Sequence, residues 1–542
     1  MDSEQNDSVR IRPNLIKDLI KASSFSHAAC TAHKSLLRIL MSASRFHARF
    51  NIRPAVGCWL AAAACLLLLG GYQACAATKE RTAVKVIGPI KGGALSIYET
   101  TVFDLDKVGY EQAEFIYTGT ARSYEPTMPL AGDGKWETKV AASEPYGSRM
   151  IVYRPSDPKQ FNGTVYVEWL NVSSRKGDFP VEWMYIHNEM IRQGAVYVGV
   201  SAQAIGVNSA KYYKPRRYQA LHHPGDSFSY DMFAQAGMAI RAQTARILPG
   251  MKLGKLIAVG HSQSAMRLTT YIDGVHVHSK VFDGFLVHGR FEPSAPLSQA
   301  PQTVVTMPSS VQIREDLGVP VFAYQSETEV ASVEVRQPDT NFYRLWEVAG
   351  TSHADQYNLV YSAYDDGSSV GFGGLVSPGL GGFVSALLQP TSFKGQVRTP
   401  SCASPLNGGP NTWVLSAALH HLQAWVASGK PPPAAPRIEL ANREPLELRR
   451  DTNGNAIGGV RTPYVDVPVA TLTPLGKPAD CRLFGTTEPF PAESLKNLYQ
   501  TPTEFLAKWT ASTDDAISNG FVVAEDRPRL VEIGEKISET IK

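Results

Sequence analysis

Lys255-Leu-Ile-Ala-Val-Gly-His-Ser-Gln-Ser-Ala-Met-Arg-Leu-Thr-Thr270 runs from an apolar strand through a tight turn into a helix. A serine at such a turn sits in a strained backbone conformation, and its neighbours must be small if side chains are not to collide. Gly260 and Ser264 meet that demand around Ser262. The turn lifts the serine oxygen above the sheet edge, while the following helix N-terminus faces developing negative charge. The pattern departs from G-x-S-x-G at its last position, where Ser264 replaces glycine. A perfect match, Gly367-Ser-Ser-Val-Gly371, lies in a Gly/Ser-rich stretch with no strong strand before it and no helix after it, and reads as loop. A serine that merely caps a helix is the plainer alternative at 262; the strand and helix around it favour a nucleophile.

Working outward, similar apolar runs recur at Thr164–Leu170, Ala195–Ser201, Phe282–His288, Val319–Tyr324 and Phe342–Val348. Between them, Trp183–Gln193 and Tyr230–Leu248 carry helical spacing. Near-continuous apolar strands alternating with helices predict a doubly wound, mostly parallel α/β sheet covered on both faces, over residues 151–430. Before it, Thr82–Ile90, Ala94–Leu105 and Ala113–Tyr124 are rich in β-branched and aromatic residues, so 77–150 is expected to be a β-rich N-terminal region. The amphipathic stretch Trp413–Ser428 ends at Gly429 and the linker Lys430-Pro-Pro-Pro-Ala-Ala-Pro436. Residues 431–542 are expected to form a C-terminal extension packing on the core, with a helix at Ser494–Ser512.

Residues 1–76 form a leader. Arg45, Arg49 and Arg53 precede the apolar run Ala55–Gly71, and Ala74-Cys75-Ala76 supplies a small-residue cleavage site, the order of a secretory signal. Cleavage after Ala76 and export to a periplasmic or secreted location are expected, with no stable membrane span afterwards; retention as an anchor through 55–71 is the alternative. The second methionine, Met41, is a candidate start. The leader holds nine Lys+Arg against four Asp+Glu, and the remainder 44 against 46, so the mature chain has no global bias towards nucleic acid. Four of the six cysteines lie in the leader, leaving Cys402 and Cys481 as a candidate disulfide in an oxidising compartment or as two free buried thiols.

The nucleophile requires a base and an orienting acid, in the chain order serine, acid, histidine for this strand pattern. The strand Val319–Tyr324 leads into Gln-Ser-Glu-Thr-Glu-Val330, so Glu329 is the expected acid, with Glu327 as its alternative. The strand Phe342–Val348 leads into Ala349-Gly-Thr-Ser-His-Ala-Asp355, making His353 the expected base. His288 ends a strand and reads as packed support; His261 lies inside the turn; His420 and His421 ride a helix. His276 and His278 have a metal-like spacing without a third ligand, and no metal or other cofactor is expected. An oxyanion hole takes the amide of Gln263 and one from the loop Leu170–Ser174, Val172 in preference to Asn171. The segment Gly206–Phe228, with Tyr212, Tyr213, Tyr218, Lys211, Lys214, Arg216 and Arg217, reads as a lid or acidic-substrate clamp, or as a solvated loop.

Together GHSQSA at 260–265, VEWLNVSS at 167–174, LHHPGDSFSYD at 221–231, SETEV at 326–330, AGTSHAD at 349–355 and GNAIGGVRTPYVDVP at 454–468 resemble the alpha/beta hydrolase domain-containing family of secreted bacterial proteins. The resemblance covers most of residues 80–540. It implies an α/β-hydrolase fold and a serine triad at Ser262, Glu329 or Glu327, and His353. The expected activity is hydrolysis of small-molecule carboxylic esters, as an esterase or lipase. An amidase, peptidase or lactonase with the same triad, or a non-catalytic binding protein on this fold, are the alternatives.

Overall fold

The computed structural model describes residues 83–92, 101, 103–359 and 402–541. The leader, with Met41, the 55–71 segment and its cysteines, lies outside these residues, as does the Gly367–Gly371 stretch. A nine-stranded sheet has the order β1-β2-β3-β5-β4-β6-β7-β8-β9. Its strands are β1 (Lys85–Ile87), β2 (Tyr110–Pro126), β3 (Thr138–Pro155), β4 (Thr164–Trp169), β5 (Val196–Val200), β6 (Lys255–His261), β7 (Gly284–His288), β8 (Val321–Ser326) and β9 (Tyr343–Val348). The first three pair antiparallel, β3 meets β5 antiparallel, and β5, β4, β6, β7, β8 and β9 run parallel.

Each parallel strand is apolar on both faces because each face meets a helical layer. Val165, Val167, Ala258, Phe285 and Ala323 enter one core, with Phe233 of α3 (Ser229–Ala242) and Leu268 of α4 (Gln263–Gly274). Their neighbours Tyr166, Ile257, Val259, Leu286 and Phe322 enter the other. That second core is closed by Ile186 of α1 (Val181–Arg192) and by Val414 and Leu422 of α5 (Asn411–Ser428). A further helix, α2 (Ala204–Tyr213), follows β5. The sheet is therefore doubly wound. Among the described residues no helix is long and apolar enough to cross a membrane.

Residue 150, the end of the expected β-rich region, lies inside β3, and β2 and β3 extend the same sheet as the parallel strands. The reason is register: Met150–Tyr153 pair with Tyr197–Val200, so the hairpin's far end completes the edge that the parallel strands leave open. The helix expected over Tyr230–Leu248 stops at Ala242, where Gln243 leaves helical geometry before a short turn at Thr244–Ile247. The helix expected over Ser494–Ser512 is two, Ala492–Leu498 and Pro502–Ser518 (α6 and α7). Pro502 cannot continue a helix from upstream but fits the first turn of a new one, and the Thr501 side chain accepts the Glu504 amide as its cap. The last helix, α8 (Arg527–Ser538), packs with α7 in a third core containing Tyr464, Phe505, Trp509 and Ile533. The extension also holds two hairpins, β10–β11 (Leu440–Arg443, Leu446–Leu448) and β12–β13 (Ala470–Thr473, Thr486–Pro489).

Arg149 on β3 is 1% exposed and meets Glu114 at 3.4 Å, Asp178 at 3.3 Å and the Tyr218 hydroxyl at 2.9 Å. Removing its charge strands the fully buried Asp178 carboxylate. Arg149→Met is expected to destabilise the fold by about 3–5 kcal/mol, read as a lower urea midpoint at unchanged slope.

Candidate active site

The sheet order turns back on itself at β4: β5 lies on one side of it and β6 on the other. Open α/β sheets bind ligands at such a reversal, beyond the strands' carboxyl ends. Here the loop after β4 and the turn after β6 come together, joined by the Asn171 side chain donating to the His261 carbonyl at 3.1 Å.

Ser262 stands between β6 and α4 with φ 61° and ψ −121°, a region that side chains avoid. Its amide donates to the His288 carbonyl at 2.9 Å, and its carbonyl accepts from Met266 at 3.0 Å. These bonds hold the turn from the neighbouring strand and from the helix. A Cβ on Gly260 would lie 3.1 Å from both the Leu268 side chain and the Ser264 Cβ, the crowding that calls for small residues on either side.

His353 reaches back from the loop after β9. Its Nε2 lies 2.7 Å from Ser262 Oγ and its Nδ1 2.6 Å from Glu329 Oε1. With Nδ1 carrying the proton towards the carboxylate, Nε2 is left to accept from the serine hydroxyl. The other Glu329 oxygen accepts from the Ser326 amide at 2.9 Å and hydroxyl at 2.6 Å. Burial works against the Glu329 anion, yet the His353 partner and the Ser326 hydrogen bonds outweigh it and hold the carboxyl below its ordinary range. Glu327 is turned elsewhere, accepting from the Gly350 amide at 2.5 Å and from Arg450 at 3.2 Å. Burial pushes its carboxyl up to about 7 against the pull of Arg450. Of the two glutamates, Glu329 is the one joined to His353.

The Gln263 amide opens α4, where no helical acceptor exists. Asn171 and Val172 separate clearly: the Asn171 amide donates to the Phe179 carbonyl at 3.0 Å, whereas the Val172 amide has no hydrogen-bond acceptor among the described residues. Asn171 is thus spent on shaping its loop, and its side-chain oxygen accepts from Ser173 at 2.8 Å.

The remaining histidines are placed by packing. His261 donates from Nε2 to the His353 carbonyl at 2.9 Å; burial first, then His288 and His353, keep its ring neutral. His288 meets Glu182 at 3.3 Å and lies edge-on to Tyr324. His420 bonds Glu189 and His421 the Gly520 carbonyl. His276 packs against Phe285, while His278 bonds Thr138 and stacks on Tyr124. Among the described residues no group of three or more His, Cys, Asp or Glu side chains is arranged to hold a metal ion.

In the Gly206–Phe228 segment, Tyr218 is buried and Arg217 is paired to Glu114, while Lys211 donates to the Leu221 carbonyl. Those two cations are committed to the fold; Tyr212 and Tyr213 are exposed. Cys402 and Cys481 are joined by a disulfide with a Cα separation of 5.7 Å. Two contributors carried no readable pattern: Ser326, which holds Glu329, and Thr328, whose hydroxyl accepts the His353 amide at 3.1 Å. Hydroxyl residues in a loop of this kind are common, and only the folded geometry singles them out.

Residues 86–532 match the sequence profile of a family described as alpha/beta hydrolase domain. The chain belongs to the alpha/beta hydrolase domain family. No curated protein matches it significantly. Among solved structures, this alpha/beta hydrolase is similar to a thermostable esterase from Pseudomonas putida, at 14% identity and a TM-score of 0.24, over 41% of this chain and 66% of that one. It is also similar to a carboxylesterase from Lactobacillus plantarum, at 13% identity and a TM-score of 0.21, over 34% of this chain and 68% of that one.

The two glutamates can be told apart without any substrate. The far-downfield proton resonance of the His353 Nδ1–H is expected to persist in Glu327→Gln and to vanish in Glu329→Gln. Its loss in Glu327→Gln alone would contradict the pairing.

Proposed function

We propose that this alpha/beta hydrolase is an exported serine hydrolase that cleaves small-molecule carboxylic esters through an acyl-enzyme. The observation that carries the reading is the unbroken line from Ser262 Oγ to His353 Nε2 and from His353 Nδ1 to Glu329, at 2.7 and 2.6 Å. In this mechanism Ser262 Oγ attacks the ester carbonyl as His353 takes its proton. The buried Glu329 carboxylate, held below its ordinary range, stabilises the imidazolium that results. The amides of Gln263 and Val172 receive the oxyanion. His353 then protonates the leaving alkoxide; water, activated by the same imidazole, attacks the acyl-serine and releases the acid. These steps use only side chains, backbone amides and water, and so call on no cofactor. The leader pattern supports export, and the Cys402–Cys481 pair accords with an oxidising compartment.

Turnover of short-chain p-nitrophenyl esters tests the reading. Ser262→Ala is expected to lower kcat by about 10⁵-fold or more. Glu329→Gln is expected to lower it about 10⁴-fold, the effect of leaving the imidazole in the wrong tautomer, while Glu327→Gln stays within about tenfold of wild type. A folded wild-type protein that hydrolyses no ester, or a Ser262→Ala variant as active as wild type, would overturn it. Amides and lactones run in the same assay separate the neighbouring activities.

A further inference from the structure

The loop carrying His353 is gripped from outside the sheet by the C-terminal extension. The Thr328 hydroxyl, which accepts the His353 amide, donates in turn to the Pro474 carbonyl at 2.8 Å. The Ala354 amide donates to the Leu483 carbonyl at 3.1 Å, and the Ser352 hydroxyl to the Phe484 carbonyl at 3.1 Å. All three carbonyls lie in the connection between β12 and β13, so one hairpin loop holds the residues before, at and after His353. The contact is close: a Cβ on Gly485 would stand 2.8 Å from the Ser352 Cβ.

The apolar burial of that hairpin loop is confined to its C-terminal end, where Phe484 packs against the second core. Leu475 is 47% and Leu483 36% exposed, and loops of this kind are drawn from the low-stability end of a fold. Ahead of Phe484 the loop is fastened by Cys481, 1% exposed and bonded to Cys402. The partner segment is itself joined to both sides. Ala403 donates to the Lys477 carbonyl at 2.8 Å, Asn407 donates to Phe484 at 3.1 Å, and the Asn407 carbonyl accepts the Gln356 amide at 2.8 Å. The third core reaches the same place, since it includes Val330 beside Glu329 and Ala349 at the start of the base loop.

We infer that the β12–β13 loop, fastened by the Cys402–Cys481 disulfide, is a brace that positions His353, so that turnover depends on the oxidised disulfide. The inference rests on the serine-hydrolase reading and adds to it a redox control and a positioning residue, Thr328. The switch is a two-electron exchange: an added dithiol gives up two electrons and two protons, closing to its cyclic disulfide, and the S–S bond becomes two thiols. Loss of the fastening lets the base loop drift, and displacement of a reacting group by about 1 Å costs on the order of 100-fold in rate.

The test compares the full-length oxidised protein with the same protein after dithiol treatment, with alkylation and peptide mass mapping to establish that Cys402 and Cys481 are free. Reduction is expected to lower kcat for p-nitrophenyl esters about 10- to 100-fold with KM within about threefold, and reoxidation to restore it. Thr328→Val, which leaves the disulfide intact but cuts the link from His353 to Pro474, is expected to lower kcat about tenfold at unchanged KM, and Thr328→Ser to recover it. Wild-type kcat in Thr328→Val, or in reduced protein with both cysteines alkylated, overturns the brace. Should reduction unfold the chain, the Thr328 pair decides alone. An oxidised wild type that turns over no ester counts against the hydrolase reading, whereas an active wild type indifferent to either change counts against the brace.

Discussion

Ser262 holds a backbone conformation, φ 61° with ψ −121°, that costs on the order of 1–3 kcal/mol and persists only where surrounding structure over-determines it. Three features do so here: the strand hydrogen bond to His288, the helix that begins at Gln263, and the absence of bulk at Gly260. The consequence is a serine oxygen raised above the carboxyl end of the sheet. Every other part of the site is arranged around that point. β4 brings the Val172 loop alongside, β8 delivers Glu329, β9 delivers His353, and the extension holds the last of these in place.

The parallel sheet was legible because its strands are buried on both faces and read as apolar runs with helical spacing between them. The strand–turn–helix that carries Ser262 was legible for the same reason: an apolar run leads through a turn into helical spacing, and β6 and α4 follow it. The order of serine, acid and histidine followed from the positions of strand ends. The edge of the sheet was harder to read. Nothing local in Thr138–Pro155 announces that a long antiparallel strand will pair β5 with its last residues, because that is a long-range register choice.

Where the sequence was silent, the missing information is side-chain direction. Glu327 and Glu329 are two residues apart in one loop, and spacing alone cannot say which carboxylate meets the imidazole. The structure separates them by partner: Ser326 and His353 around one, Arg450 and Gly350 around the other. The same applies to Val172 and Asn171, distinguished by the bond from the Asn171 amide to the Phe179 carbonyl. Ser494–Ser512 fails for a different reason. Its helical spacing is genuine on both sides of Thr501-Pro502, but a proline sets the boundary that periodicity ignores. The C-terminal extension was read as packing on the core; its grip on the acid and base loops runs through backbone carbonyls, which have no signature in sequence.

Peptide mapping by mass spectrometry, after stoichiometric reaction of the folded protein with a fluorophosphonate, tests the central claim most directly. The account predicts one phosphonyl adduct per chain, on the peptide bearing Ser262 and at that residue. An adduct on Ser369 or another serine, or no adduct on a folded chain, would contradict it.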